Sequence, residues 1–194
     1  MEYSQPIKIP NDGRYYLKVS KGGERVFYQL NKLKLVDETL LASKNLSFQL
    51  NEMSQSIVAS VEQDLINQAV ASKLEWFGKE IADETIQRAY QSALEGTIFQ
   101  APLATVKSEV VTVAYDTQKN GVELGSIQKD ATLDVLVELS GLWFLKKSFG
   151  PIFRIAQIRV SSAPAQKKKF PTEYLFDDAP QDEAEEDSPA DYLD

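Results

Sequence analysis

The chain has no cysteine and no histidine in its 194 residues. Without thiols it can form no disulfide and present no thiolate nucleophile. With imidazole missing as well, the usual zinc ligand sets are excluded, and so is every Ser-His-Asp or Cys-His arrangement. The commonest general acid/base is lost too, so catalysis would fall to carboxylates, Lys, Tyr or Arg around a cation such as Mg²⁺. The acidic residues Glu109, Asp116, Glu123, Asp130, Asp134 and Glu138 match no metal-loop spacing, and Gly22-Gly23 reads as a turn rather than a phosphate-binding loop. No apolar run is long enough to span a bilayer. The start, MEYSQPIKIP, lacks the basic-then-apolar order of a secretory signal. The expectation is a protein that is not an enzyme, holds no cofactor and no metal, has no membrane partner and resides inside the cell: cytoplasm, or the nucleus of a host cell if viral.

A further absence is positional: no basic residue follows Lys169, while ten acidic ones do, from Glu173 to Asp194. The formal charge of -8 arises from 21 Lys and Arg against 29 Asp and Glu. Setting the ten tail acids aside leaves 19 acids against those 21 bases, so the body is slightly basic. A mildly basic body with an acidic tail fits a body that binds polyanions and a tail that competes for the same surface or recruits other proteins. Residues 1–163 are expected to form one domain, and residues 164–194 a basic linker (Lys167, Lys168, Lys169) with a disordered acidic tail. The tail carries apolar punctuation, Phe170, Tyr174, Leu175, Phe176 and finally Tyr192-Leu193. Asp187, Asp191, Tyr192, Leu193 and Asp194 are therefore candidates for docking into a cationic pocket on a partner protein. A merely solvating end is the plainer alternative.

What is abundant is alternation. Residues 14–19 and 25–36 are rich in Tyr, Phe, Leu and Val, and Lys21-Gly22-Gly23-Glu24 between them predicts a hairpin. A third strand is expected over 46–50. From 54 to 77 the period becomes helical, with Val58, Val61, Leu65 and Ala69 on one face, Ser54 or Ser56 as cap and Gly78 as stop. A second helix is expected from Asp83, as cap, to Glu95, stopped by Gly96. Strands return over 105–115 and 122–127, and a long one begins at Leu133, with Ser140-Gly141 marking a bulge. Residues 148–151 are expected to turn it back onto a partner at 152–160. Three strands, two helices, then several strands predict a β-rich α+β fold: an OB-like antiparallel Greek-key barrel with an inserted two-helix segment.

Rings and cations concentrate in the late hairpin: Trp143, Phe144, Lys146, Lys147, Phe149, Phe153, Arg154 and Arg159. Every base offers a π-face to an exposed ring, and Lys or Arg can follow the phosphates. The alternative for each ring is an ordinary core position, from which Phe149, beside Gly-Pro at the expected turn, is excepted. The early segment adds Tyr15, Tyr16 and Lys18 against Arg25, Phe27, Tyr28, Lys32 and Lys34, of which alternation allows only about half to share a face; Tyr16, Arg25, Tyr28, Lys32 and Lys34 are taken as the candidates.

The tail, the β-rich body and this aromatic-basic hairpin (LSGLWFLKKSFGPIFRIAQIRV, 139–160) together resemble the single-stranded DNA-binding replication proteins of DNA viruses and phages. The resemblance implies an OB-type body that holds single-stranded DNA by stacking and phosphate contacts in replication or recombination. It also implies a tail that contacts replication proteins such as a polymerase, helicase or primase; self-association is left open. Two other classes remain: a protein-interaction or assembly module with a recruiting tail, and a Mg²⁺-dependent nuclease.

Overall fold

The computed structural model describes residues 1–10 and 13–162. Its principal elements are β1 (Tyr15–Ser20), β2 (Val26–Leu35), β3 (Asn45–Gln49), α1 (Glu52–Ala71), α2 (Lys73–Phe77), α3 (Asp83–Ala89), β4 (Ile98–Pro102), β5 (Val113–Tyr115), β6 (Thr132–Phe144) and β7 (Phe149–Ser162). The fold is strand-rich with a few helices. The main sheet has the order β5-β7-β6-β2-β3-β4, and all of its pairs are antiparallel except β5 with β7. The two-residue strands Gly121–Val122 and Leu94–Glu95 extend its two edges. The sheet curls: beyond β4, Leu103 forms a parallel bridge with Ile155 of β7, and the Ala104 N–H donates to the Ile155 carbonyl at 3.0 Å.

The spine is the β6–β7 ladder. Leu133, Val135, Val137 and Leu139 alternate inward along β6 and are all at most 1 % exposed, as the period of two requires. At Ser140-Gly141 the register shifts. Before the shift β6 pairs with β2, from Thr132↔Lys34 to Leu139↔Val26; after it β6 pairs with β1, from Gly141↔Lys18 to Phe144↔Tyr15. The early segment is therefore not a hairpin. β1 and β2 both lie antiparallel to β6, one beyond the other, and the turn at residues 21–24 closes only the Lys21↔Glu24 bridge. The Gly-Gly turn was legible, but the strands it joins do not pair with each other: Val26 onward and residues 15–18 pair with β6, and Val19 and Ser20 pair with Tyr3 and Glu2.

The helical face is as expected: Val58, Val61, Leu65 and Ala69 are buried. The cap is Asn51, whose side chain accepts from the Ser54 N–H at 2.9 Å, so neither Ser54 nor Ser56 serves. Ser54 instead donates its hydroxyl to the Asn31 carbonyl, which also receives the Asn51 amide and ties the helix start to β2. Gly78 ends α2 with φ 69, the left-handed conformation that glycine adopts without steric penalty. The following helix is shorter than expected and is preceded by Ala82, not capped by Asp83. Residues 94 and 95 leave it to pair with Phe99 and Ile98 around Gly96. Residues 105–115 are not one strand. They form a two-residue hairpin, Thr105–Val106 with Glu109–Val110, and then β5; Leu124–Ser126 is a 3₁₀ turn rather than strand.

Two-residue strands at Glu2–Tyr3 and Ile7–Lys8, which the sequence pattern did not announce, edge β1. The late turn also sits elsewhere than expected. Phe144 pairs with Phe149, and the chain reverses at residues 145–148, where the Leu145 N–H donates to the Ser148 carbonyl at 2.8 Å. Phe149, Gly150 and Pro151 are thus strand residues. The expected linker and tail, including residues 167–169 and 187–194, lie outside the described residues.

Candidate nucleic-acid interface

Register across the ladder separates the expected site residues into groups. On the outer face, opposite the core, Tyr16 is paired with Trp143, Phe27 with Glu138, and Glu138 in turn with Arg154. Arg159 stands opposite Asp134 on one side and Tyr115 on the other. Trp143 and Tyr16 are half-buried, and Phe27 is 42 % exposed. Arg25 reaches over the same face to Glu138. Lys146 and Lys147 are exposed on the turn between β6 and β7. Lys32 and Lys34 are exposed near the other end of β6.

Three expected residues are not on this face. Phe149 is 1 % exposed and Phe153 is 5 % exposed, so neither ring can stack on a base. The displaced turn explains Phe149: directly opposite Phe144 on the same rung, it shares that residue's inward orientation. The two rings stack at 5.6 Å with planes 7° apart, and Phe77 and Tyr90 meet Phe149 edge-on. Phe153 packs edge-on against Phe99 at 5.4 Å. Tyr28 shares Val137's side of the sheet, where its hydroxyl lies 3.8 Å from the Met1 sulfur.

The cations of the outer face are organised by two carboxylates. Glu138 is 5 % exposed and sits 3.6 Å from Arg154 and 3.8 Å from Arg25. Two guanidiniums over one carboxylate leave a local excess of positive charge. The Arg154 Nε is buried and has no hydrogen-bond partner among the described residues. Asp134 accepts from Arg159 through both Nε (3.0 Å) and Nη2 (2.6 Å), from the Ser161 hydroxyl at 2.9 Å, and from the Lys32 N–H at 2.9 Å. That last donor is available because β2 bulges there, with Lys32 at φ 54. Burial opposes ionisation of Asp134, but these hydrogen bonds and the Arg159 charge outweigh it and hold its carboxyl below the usual range. The Tyr16 hydroxyl donates to the Ser140 carbonyl at 2.8 Å, and burial, partly countered by Arg154, raises its pKa.

The geometry adds Tyr115 to the sequence-based candidates and gives Lys18 and Phe27, which stood in the early set, a place on this face. Phe27, Lys18 and Tyr115 all stand on the outer face; strict alternation with Val26, Leu17 and Ala114 was the available signal. Beside them lies a shallow groove of about 390 Å³, bordered by Tyr115, Gln29, Gln157 and Arg159. Among the described residues no group of three or more His, Cys, Asp or Glu side chains is placed to hold a metal ion. Nor is any described helix long and apolar enough to cross a membrane.

The fold is similar to a C-terminally truncated single-stranded DNA-binding protein from bacteriophage Enc34, with a TM-score of 0.46 and 7 % identity over 82 % of this chain and 95 % of that one. No curated protein matches the sequence. Residues 31–178 match the model of a family described as "Family of unknown function (DUF5871)", and the chain belongs to that family.

Proposed function

We propose that the chain is a non-catalytic single-stranded DNA-binding protein whose outer sheet face holds the strand by base stacking and phosphate contacts. The observation that carries this reading is the interleaving on one face of accessible rings (Tyr16, Phe27, Tyr115, Trp143) with Lys18, Arg25, Arg154 and Arg159. Rings at this spacing are sequence-tolerant platforms, each worth about 1–3 kcal/mol per stacked base. Cations between them follow the backbone. The route of strand pairing supports an OB-type Greek-key barrel: β2 to β3 to β4, across the Leu103–Ile155 bridge to β7, then β6 and back to β2. In such a barrel the turn between the last two strands borders the ligand groove, and here that turn carries Lys146 and Lys147.

In the same reading the acidic segment 170–194 competes with DNA for this face and, when displaced, offers Asp187, Asp191, Tyr192, Leu193 and Asp194 to replication proteins such as a polymerase, helicase or primase. Fluorescence anisotropy with single-stranded and duplex oligonucleotides at two salt concentrations tests both parts. Single strands are expected to bind more tightly, with affinity falling steeply as salt rises. A chain ending at residue 169, which keeps the basic triplet and loses only the acidic segment, is expected to bind more tightly still at low salt. Equal affinity for duplex and single strand, or a salt-independent affinity, sinks the first part; unchanged or weaker binding after truncation sinks the second.

An assembly module is the second reading, favoured by the exposed valines Val106, Val110, Val111 and Val113 on and beside one short hairpin. Concentration-dependent sedimentation in the absence of DNA, lost in Val111→Asp, would support it.

A further inference from the structure

The groove beside β5 is too neutral to be a phosphate site, and this neutrality indicates what it accepts. Lys119 and Arg159 border it together with Asp116 and Asp134, so its formal charges cancel. Both carboxylates are already engaged: Asp134 holds Arg159, while Asp116 accepts from the N–H groups of Gln118 and Asn120 and from the Asn120 side chain. These Asp116 bonds also fix the turn that walls the groove. Its floor is Leu136, which stands in register between Gln29 on one neighbouring strand and Gln157 on the other. Tyr115, 36 % exposed, forms the side next to Arg159. An apolar floor, an exposed ring and two carboxamides in a charge-balanced cleft suit an uncharged, planar, hydrogen-bonding heterocycle.

The carboxamides narrow the choice further. The Gln29 NH₂ donates to the Asn31 side chain at 2.7 Å, which leaves its carbonyl oxygen as an acceptor. Gln157 makes no side-chain hydrogen bond among the described residues and so presents both a donor and an acceptor. A free Gln amide matches the adjacent amine and ring nitrogen of adenine, with N6–H₂ donating and N7 accepting. A second acceptor at Gln29 adds to the preference for an exocyclic amine, which thymine lacks.

We propose that this groove is a single-base pocket that prefers adenine, with Tyr115 as the stacking ring and Gln157 as the reading group. The pocket deepens the single-strand-binding reading and rests on it, since the extruded base would belong to the bound strand. It has a test of its own. The probes are deoxyadenosine and thymidine monophosphates, titrated against the isotopically labelled full-length chain and followed by NMR at the Gln157 side-chain amide and the Tyr115 backbone. Saturable shifts with the adenine nucleotide, about tenfold weaker with thymidine, are expected. Gln157→Ala should erase the difference between the two nucleotides. Tyr115→Ala should weaken both, and Tyr115→Phe should restore binding.

The counterpart with oligonucleotides compares oligo-dA with oligo-dT in the same variants. If single strands bind but Gln157→Ala and Tyr115→Ala change neither affinity nor base preference, the pocket is overturned while the broader reading stands. If the nucleotide shifts appear as described but no oligonucleotide binds, the pocket stands and the broader reading fails. Absence of any shift at Gln157 with adenine nucleotide at millimolar concentration overturns the pocket outright.

Discussion

The two faces of the β6–β7 ladder are built from the same stretch of sequence and have opposite chemistry. Inward, Val135, Val137, Leu139, Phe149, Phe153 and Ile155 are buried against the helices and the other strands. Outward, Asp134, Glu138, Trp143, Arg154 and Arg159 form a charged, ring-bearing surface. Phe153 and Arg154 are adjacent in the chain, yet one is core and the other lies on the outer face. Local density of aromatics and cations therefore does not tell which side chains face outward; the phase of alternation, counted from the true turn, does.

The sharpest test of this contrast is to remove one ring from each face. Phe149→Ala should destabilise the protein by about 3–5 kcal/mol in chemical denaturation, because it leaves a cavity among Phe77, Tyr90 and Phe144. Its folded fraction should bind DNA as the parent does. A comparable loss is expected from Gly141→Ala, on the order of 3 kcal/mol, because the new Cβ would overlap the Leu17 carbonyl oxygen and the Tyr16 ring. Trp143→Ala inverts the pattern, weakening single-strand binding by about 1–3 kcal/mol in anisotropy titrations. Were Trp143→Ala to cost stability and leave affinity intact, the outer face would be merely structural. Replacing Lys146 and Lys147 together by Ala should reduce the slope of log affinity against log salt by about 1.4, at roughly 0.7 per phosphate contact on a single strand.

The smallest effect concerns pH and lies on the core side. Glu62 is 7 % exposed, and burial raises its pKa despite hydrogen bonds from the Ser92 hydroxyl and the Ala93 N–H. The folded chain thus holds this proton to higher pH than the unfolded one. Stability should decline as pH rises from the ordinary glutamate value through the raised folded value, and then level off. Thermal melts of Glu62→Gln across that range should lose this decline. Persistence of the decline in the variant would assign it to another group.

Much of the architecture was legible locally. The helical stripe from Val58 to Ala69, the long strand after Leu133 and the bulge at Ser140-Gly141 each follow from a repeat or a punctuating residue within a short window. The pairing of the early segment was not, because a Gly-Gly turn signals reversal but not which strand will accept the hydrogen bonds. Nor was the exact late turn: Gly150-Pro151 resembles a reversal, yet Gly150 is needed where an added Cβ would press on the Gln91 carbonyl oxygen and the Trp143 ring. On the outer face, Trp143, Arg154 and Arg159 were candidates from composition, whereas Tyr115, Gln29 and Gln157 meet only through cross-strand register.

The change of partner along β6 has a mechanical consequence. Along β6, β1 is held only by residues 141–144, on the far side of the bulge from everything β2 holds. Losing the β1 pairing would therefore leave the β2 ladder on β6 zipped, while Tyr3 against Trp76 and Gln5 with Glu75 give the N-terminal strands a second attachment, to α2. Amide exchange should reveal this as faster deuterium uptake across Leu17 and Val19 than across Leu30 and Leu33, although all four side chains are equally hidden from water.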